Sequence, residues 1–345
     1  MKKLAGLCLA SWLAITTPNQ AHARADVLAL QEGYPQEYVV VKGDTLWDIS
    51  GRFLTQPWRW PEIWGVNPQI DDPHWIYPGD VIYMTWVDGK PRLRIKGDNK
   101  LVPRARATPL ENPIPARPLK DMDAFMQENV VLDDELLAET PYVLGGRNKR
   151  IIAGAGDRIY ARGEMESDHK YQNIYRPLQA FHDPITDELL GYELSKIAEA
   201  YVVSTNDEDI TTLELAKSQQ EVRVMDRVLP APETRIQSMF YPAPAPEETE
   251  GYILSVDGGV QKIGRFDAVA INKGRREGVK PGQVFIVYAA GEEMDDPVTG
   301  ERVKLPDEEA GTLMVYKVYD KVSYALVMTA LNVLSVGDNF KSPDL

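Results

Sequence analysis

The sequence predicts an α+β protein: a small βααβ domain, then a linker, then a β-rich region of two tandem small β-barrel-like modules. Three observations carry this reading. Six of the seven tryptophans fall between Trp47 and Trp86, a concentration that marks either a small aromatic core or a ring-stacking surface. Beyond residue 150, short β-branched or aromatic runs are separated by Gly, Pro and Asp, the punctuation of strands and turns. Landmarks in that later region recur 110 to 113 positions apart. The expected layout is a targeting segment at 1–23, the small domain at 36–86, a basic linker at 87–120, a helix and first β module at 121–229, a Pro-rich connector at 230–250 and a second β module at 251–345.

Lys2 and Lys3 precede an apolar run from Leu4 to Ile15, and Ala21-His22-Ala23 completes the pattern of a secretory signal peptide cleaved after Ala23. The run falls short of the ~20 residues of a membrane-spanning helix, and no later segment is continuously apolar. The expectation is a secreted, periplasmic protein with no transmembrane segment. Cys8, the only cysteine, lies inside the signal, so the mature chain is expected to hold no disulfide, thiol nucleophile or thiolate metal ligand. It also lacks the Leu-Ala-Gly-Cys arrangement of a lipoprotein signal.

Thirty-eight Lys and Arg against 52 Asp and Glu give a formal charge of −14, which becomes −16 once the two signal lysines are removed. So acidic a chain is poorly suited to nucleic acid, which needs concentrated basic surface. The one basic stretch, with Lys90, Arg92, Arg94, Lys96, Arg104 and Arg106 among prolines, reads as an exposed linker.

In the small domain, Tyr38-Val39-Val40-Val41 is a β-branched run ended by Lys42-Gly43, an opening strand. Asp44 is placed to cap a helix whose apolar face carries Leu46, Ile49 and Phe53 at i, i+3 and i+7. Pro61 suits the first turn of a second helix, with Trp60, Ile63, Trp64 and Asn67 along it and Pro68 as its stop. Tyr77-Pro78-Gly79-Asp80 is a type II turn, Gly79 supplying the positive φ. Val81-Ile82-Tyr83-Met84 closes the unit as a strand.

The run Val41-Lys42-Gly43-Asp44-Thr45-Leu46-Trp47-Asp48-Ile49, with Asn67-Pro68 and Ile76-Tyr77-Pro78-Gly79-Asp80 at the right distance, resembles a lysin-motif (LysM) domain. The resemblance implies a βααβ fold that binds N-acetylglucosamine-containing glycans, peptidoglycan strands above all, in a shallow groove between two loops. Carried over, one loop holds Gly43, Asp44, Thr45 and Leu46, the other Asn67, Pro68, Ile70, Ile76 and Tyr77. The chemistry suits the residues: N-acetyl groups want backbone hydrogen bonds and a small apolar contact, and Gly- and Pro-shaped loops leave backbone free to give them. The sequence departs from the common pattern at Thr55–Trp60 and Asp71–Trp75. Trp58 and Trp60 fit either ring stacking or core, Trp47 and Trp64 are assigned to the core, and Trp75, beside the loop residue His74, is the surface candidate.

Residues 121–138 are expected to be helical, with Met122, Phe125 and Met126 on one face. Strands are expected at Arg158–Ala161, Ala200–Ser204, Phe266–Ile271, Gln283–Tyr288, Gly311–Val318 and Tyr324–Ala330. Asp183-Pro184-Ile185-Thr186 recurs as Asp296-Pro297-Val298-Thr299, Asp157 as Asp267, and Asp226 as Asp338. Gly191 would correspond to Gly311 only with an insertion around Arg302–Glu309. The repeat is too long for a solenoid, so a pair of small barrels or sandwiches is expected, joined through Pro230, Pro232, Pro242, Pro244 and Pro246. The turn-rich segment Asn272–Gly282 resembles small β-barrels of rod-shape-determining envelope proteins.

No enzyme is expected, and no cofactor or metal. No thiol survives cleavage, and His74, His169 and His182 lie on separate segments, too dispersed for a zinc hydrolase. Carboxylates come in runs such as Asp133-Asp134-Glu135 and Asp307-Glu308-Glu309, typical of solvated loops. No phosphate loop is present, and Gly154-Ala155-Gly156 leads into a strand. The reading is a binding protein for peptidoglycan glycan strands, its β repeats engaging an envelope partner. Two rivals stand beside it: a scaffold or assembly factor of an envelope machine, and a cell-wall glycan hydrolase with its carboxylates in the β region.

Overall fold

The computed structural model describes residues 28–41, 43–64, 76–96, 128–165, 170–206, 208–231, 241–256, 262–291 and 293–343. The signal segment, and with it Cys8 and Ala23, lies outside them. In the first unit, β1 (Glu37–Val39) leads to α1 (Leu46–Ser50), a 3-10 turn at Pro57–Arg59, α2 (Trp60–Trp64), β2 (Val81–Val87) and β3 (Lys90–Ile95). The three strands form an antiparallel sheet in the order β1-β2-β3. The last strand corrects the expected linker at 87–120: Lys90–Ile95 pairs with β2 along its length and buries Leu93. The alternation Pro91, Leu93, Ile95 facing inward against basic neighbours is the pattern of a half-buried strand, masked in the sequence by its arginines.

Helix α1 begins one residue later than Asp44 suggests. Thr45 is the extended cap residue, and its hydroxyl accepts the Asp48 N–H at 3.1 Å. Leu46, Ile49, Phe53, Ile63 and Ile82 are wholly buried in one core with Trp60 and Trp64. Truncating one of these large side chains to alanine costs ~2–5 kcal/mol. At the C-terminal side, the expected helix at 121–138 is replaced over its described part by β4 (Val130–Leu132) and α3 (Asp134–Glu139), which Asp133 caps by accepting the Leu136 N–H at 2.7 Å. Met122, Phe125 and Met126 lie outside the described residues.

The first β module contains β5 (Tyr142–Gly146), β6 (Ile152–Ala153), β7 (Arg158–Arg162), β8 (Tyr171–His182), β9 (Leu189–Thr205), β10 (Ile210–Ser218), β11 (Val222–Arg223) and β12 (Arg227–Pro230). β13 (Ala243–Pro244) follows, within the expected connector, and pairs in parallel with Gln283 and Val284 of the next module. That second module contains β14 (Glu250–Val256), β15 (Lys262–Ile263), β16 (Ala268–Ile271), β17 (Gln283–Ala289), β18 (Glu293–Asp295), β19 (Arg302–Lys304), β20 (Glu308–Val318), β21 (Ser323–Ala330), β22 (Leu334–Ser335) and β23 (Asn339–Lys341).

Each module closes into a six-stranded barrel, which removes exposed sheet edges. The first runs β5-β7-β10-β9-β8-β12 and returns to β5; the second runs β14-β16-β21-β20-β17-β23 and returns to β14. A two-stranded ribbon flanks each, β6–β11 and β15–β22. The β9–β10 and β20–β21 pairs carry β-bulges at matching positions. The repeated aspartates have repeated jobs. Asp157 and Asp267 accept the N–H of Gly154 and Gly264 at 3.0 and 2.7 Å, and Asp226 and Asp338 accept those of Arg223 and Ser335 at 2.6 and 2.8 Å. Short acceptors of this kind fold the chain back on itself in turns. One correspondence is corrected: matching the bulged registers places Gly311 opposite Ala330 as Ala198 is opposite Ser218. Gly311 is therefore the twin of Ala198, and no insertion at Arg302–Glu309 is needed.

The three units are packed together. Trp47 and Trp58 from the first unit join Val131 of β4 and Phe181 and Leu190 of the first barrel against Ala268, Met314, Tyr324, Leu326 and Met328 on the outer wall of the second. Beside this apolar contact, buried Glu193 accepts from Asn129, Gln179 and the Tyr324 hydroxyl at 3.0, 2.9 and 2.9 Å. Lys317, pushed down to about 8 by burial, donates to the Asn129 carbonyl. Among the described residues, no helix is long and apolar enough to cross a membrane.

Candidate glycan-binding site

The loop between β1 and α1 is shaped by hydrogen bonds that spend its side chains on its own backbone. Gly43 has φ +95° and open space where a side chain would stand, a conformation that other residues adopt only with strain. Asp44 accepts the Val41 N–H at 2.9 Å and the Tyr38 hydroxyl at 2.7 Å. Burial, and then this carboxylate, push the Tyr38 phenol above its usual value. Thr45 is buried, and its hydroxyl donates to Asp48 Oδ2 at 2.6 Å. Leu46 points into the core.

The second loop meets the first through the sheet. The Val40 N–H donates to the Asp80 carbonyl at 2.9 Å, and the Gly79 N–H donates to the Val40 carbonyl at 2.8 Å. The turn itself forms as expected: Asp80 N–H donates to the Tyr77 carbonyl at 3.0 Å, Gly79 has φ +94°, and Asp80 accepts the Tyr77 N–H at 2.9 Å. Ile76 is wholly buried, so its side chain supports the loop, whereas Tyr77 is half-buried. The structure thus ties the turn that follows Ile76–Tyr77 to Val40, three residues before Gly43–Leu46. Asn67, Pro68 and Ile70 lie outside the described residues, as do His74 and Trp75.

Trp58 and Trp60 are buried along with Trp47 and Trp64, Trp60 and Trp64 in the domain's own core and Trp47 and Trp58 against the second barrel, so none of the four is a surface stacking ring. Trp86, which has no role in the sequence reading, is 57% exposed on β2. A second feature had no sequence signal: Arg265, from the second barrel, donates to Asp48 Oδ1 at 2.6 Å. Asp48 is also the partner of Thr45, so a residue 217 positions away in the chain reaches the first loop through one carboxylate.

Residues 38–85 match the family model of the LysM domain. The chain is also similar to an uncharacterized protein, YqbP, of Bacillus subtilis (strain 168), with 44% identity over 55 residues that make up 13% of this chain and 25% of that protein. The chain therefore spans about a quarter of the length of that curated relative. LysM domains generally bind glycans of the peptidoglycan and chitin type. With its described strands and helices in the expected order and the family match over residues 38–85, this chain is a LysM domain-containing protein.

Proposed function

We propose that this protein is exported, loses its signal after Ala23, and binds peptidoglycan glycan strands in the periplasm through the groove between Gly43–Leu46 and Asn67–Tyr77, without catalysing a reaction. The observation that carries the reading is the LysM match over residues 38–85, on a domain whose first loop and Tyr77–Asp80 turn are tied together through the Val40 backbone. A shallow groove for a polar sugar buries little surface, so each contact is weak and affinity comes from repetition or from a second attachment. The barrels supply that second attachment by engaging an envelope protein.

Co-sedimentation of the full chain with purified sacculi tests the reading, with turbidity followed in the same tube. The expected result is pelleting that Gly43→Val weakens by roughly tenfold, because the loop loses its positive-φ backbone, with no clearing of the suspension. Pelleting unaffected by Gly43→Val would overturn the site, and clearing would favour the hydrolase.

A further inference from the structure

The two barrels carry the same projecting hairpin and use it differently. In the first barrel the arm at the end of β8 and β9 lies on the second barrel. Phe181 and Leu190 are 3% and 4% exposed within the shared apolar cluster. At its tip, Asp183 accepts from Asn272 at 2.8 Å, and Glu188 receives both Arg276, at 2.8 and 3.1 Å, and Lys321, at 2.8 Å. In the second barrel the arm is β18–β19, and Met294, Asp296, Glu301 and Val303 each stand 113 positions after Phe181, Asp183, Glu188 and Leu190. The tip turns are the same: Asp183 accepts from Ile185 and Thr186, and Asp296 from Val298 and Thr299. Yet Met294 and Val303 are 53% and 39% exposed. Among the described residues, no cation reaches Asp296 or Glu301. The arm's own cations are engaged within it, Arg302 near Glu293 and Asp295 at 3.5 and 3.8 Å and Lys304 near Asp307 at 3.3 Å.

A second copy of the chain does not complete this surface. Its second-barrel wall is already covered by its own first arm. The register of the paired strands places Arg158, Tyr201 and Glu214 on the first barrel where the second has Ala268, Met314 and Leu326. That face is polar and charged where the docked arm needs an apolar wall.

We propose that the β18–β19 arm is the docking element for a different protein, one whose surface presents an apolar wall flanked by an arginine and a lysine. The occupied twin defines the chemistry: an apolar pair seats the arm, and a carboxylate at the tip fixes its register through charge-assisted hydrogen bonds. This rests on the part of the functional reading that gives the barrels a protein partner and is independent of the glycan groove.

The test uses the full chain in its own cell envelope, with a photo-crosslinking amino acid at Val298 and, separately, at Val333 on another exposed part of the second barrel. The expected result is a discrete adduct from Val298 whose crosslinked peptide, read by mass spectrometry, contains arginine and lysine beside apolar residues. Its yield should fall roughly tenfold with Glu301→Gln, which leaves the turn accepted by Asp296 intact. An adduct that survives Glu301→Gln, one that maps to this same chain, or one without basic residues overturns the proposal. Adducts from Val333 alone overturn the arm but keep a partner for the barrels, and none from either position removes both.

Discussion

The two barrels share strand order, closure, bulges and turn aspartates, and differ on their outer walls. The second presents Ala268, Met314 and Leu326, and these bury against the LysM domain and the first barrel's arm. At matching positions the first presents Arg158, Tyr201 and Glu214, which satisfy one another at the surface: Arg158 Nε donates to Glu214 at 3.0 Å, and the Tyr201 hydroxyl donates to the same carboxylate. The difference teaches that barrel closure constrains the inside and the turns, while the outer wall is free to become either a solvated face or an interface. Of two barrels with one strand plan, one docks and the other is docked upon.

The largest break in that comparison comes from truncating the twin apolar residues of the two arms. Phe181→Ala should cost roughly 3–5 kcal/mol in urea unfolding of the full chain, because it empties a buried contact between barrels. Met294→Ala should stay within ~0.5 kcal/mol, because its side chain is largely in water. Equal costs would mean that the two arms are not used differently.

A smaller effect sharpens the same contrast at the tip. The hydrogen bonds from Arg276 and then Lys321 hold the Glu188 carboxyl down at about 2, against an ordinary value of ~4.3. A depressed carboxyl contributes stability that is fully present above ~4.3 and is lost as pH falls through about 2. Because Glu188 is 40% exposed, solvent screening keeps the contribution below ~1 kcal/mol. The stability gap between the native chain and Glu188→Gln should therefore close between pH 5 and pH 2, on the order of the window those two values define. A gap independent of pH would show that the ion pairs do not fasten the arm.

How much was legible in the sequence follows from where the signal was local. The LysM core could be read because helix periodicity and a Pro-Gly turn are short-range patterns; five of the six expected strand segments lie within barrel strands, and the sixth, Phe266–Ile271, does so from Ala268 on. The matching turns of the two barrels could be read because each turn aspartate binds backbone within three residues of itself. Strand Lys90–Ile95 was lost to its charge, since its basic residues face outward and hide an apolar alternation. The cap moved from Asp44 to Thr45 because the Asp44 carboxylate is taken by Val41 and Tyr38. The docking of Trp47, Trp58 and Asp48 on the second barrel joins residues more than 200 positions apart, and no local pattern encodes such a contact.

The most direct measurement is hydrogen–deuterium exchange on the full chain with and without an N-acetylglucosamine oligomer. The account predicts slowed exchange at the backbone amides of Gly43–Leu46 and of the loop ending at Tyr77, with the two barrels unchanged. Protection that appears on the barrels and leaves both loops exchanging freely would contradict it.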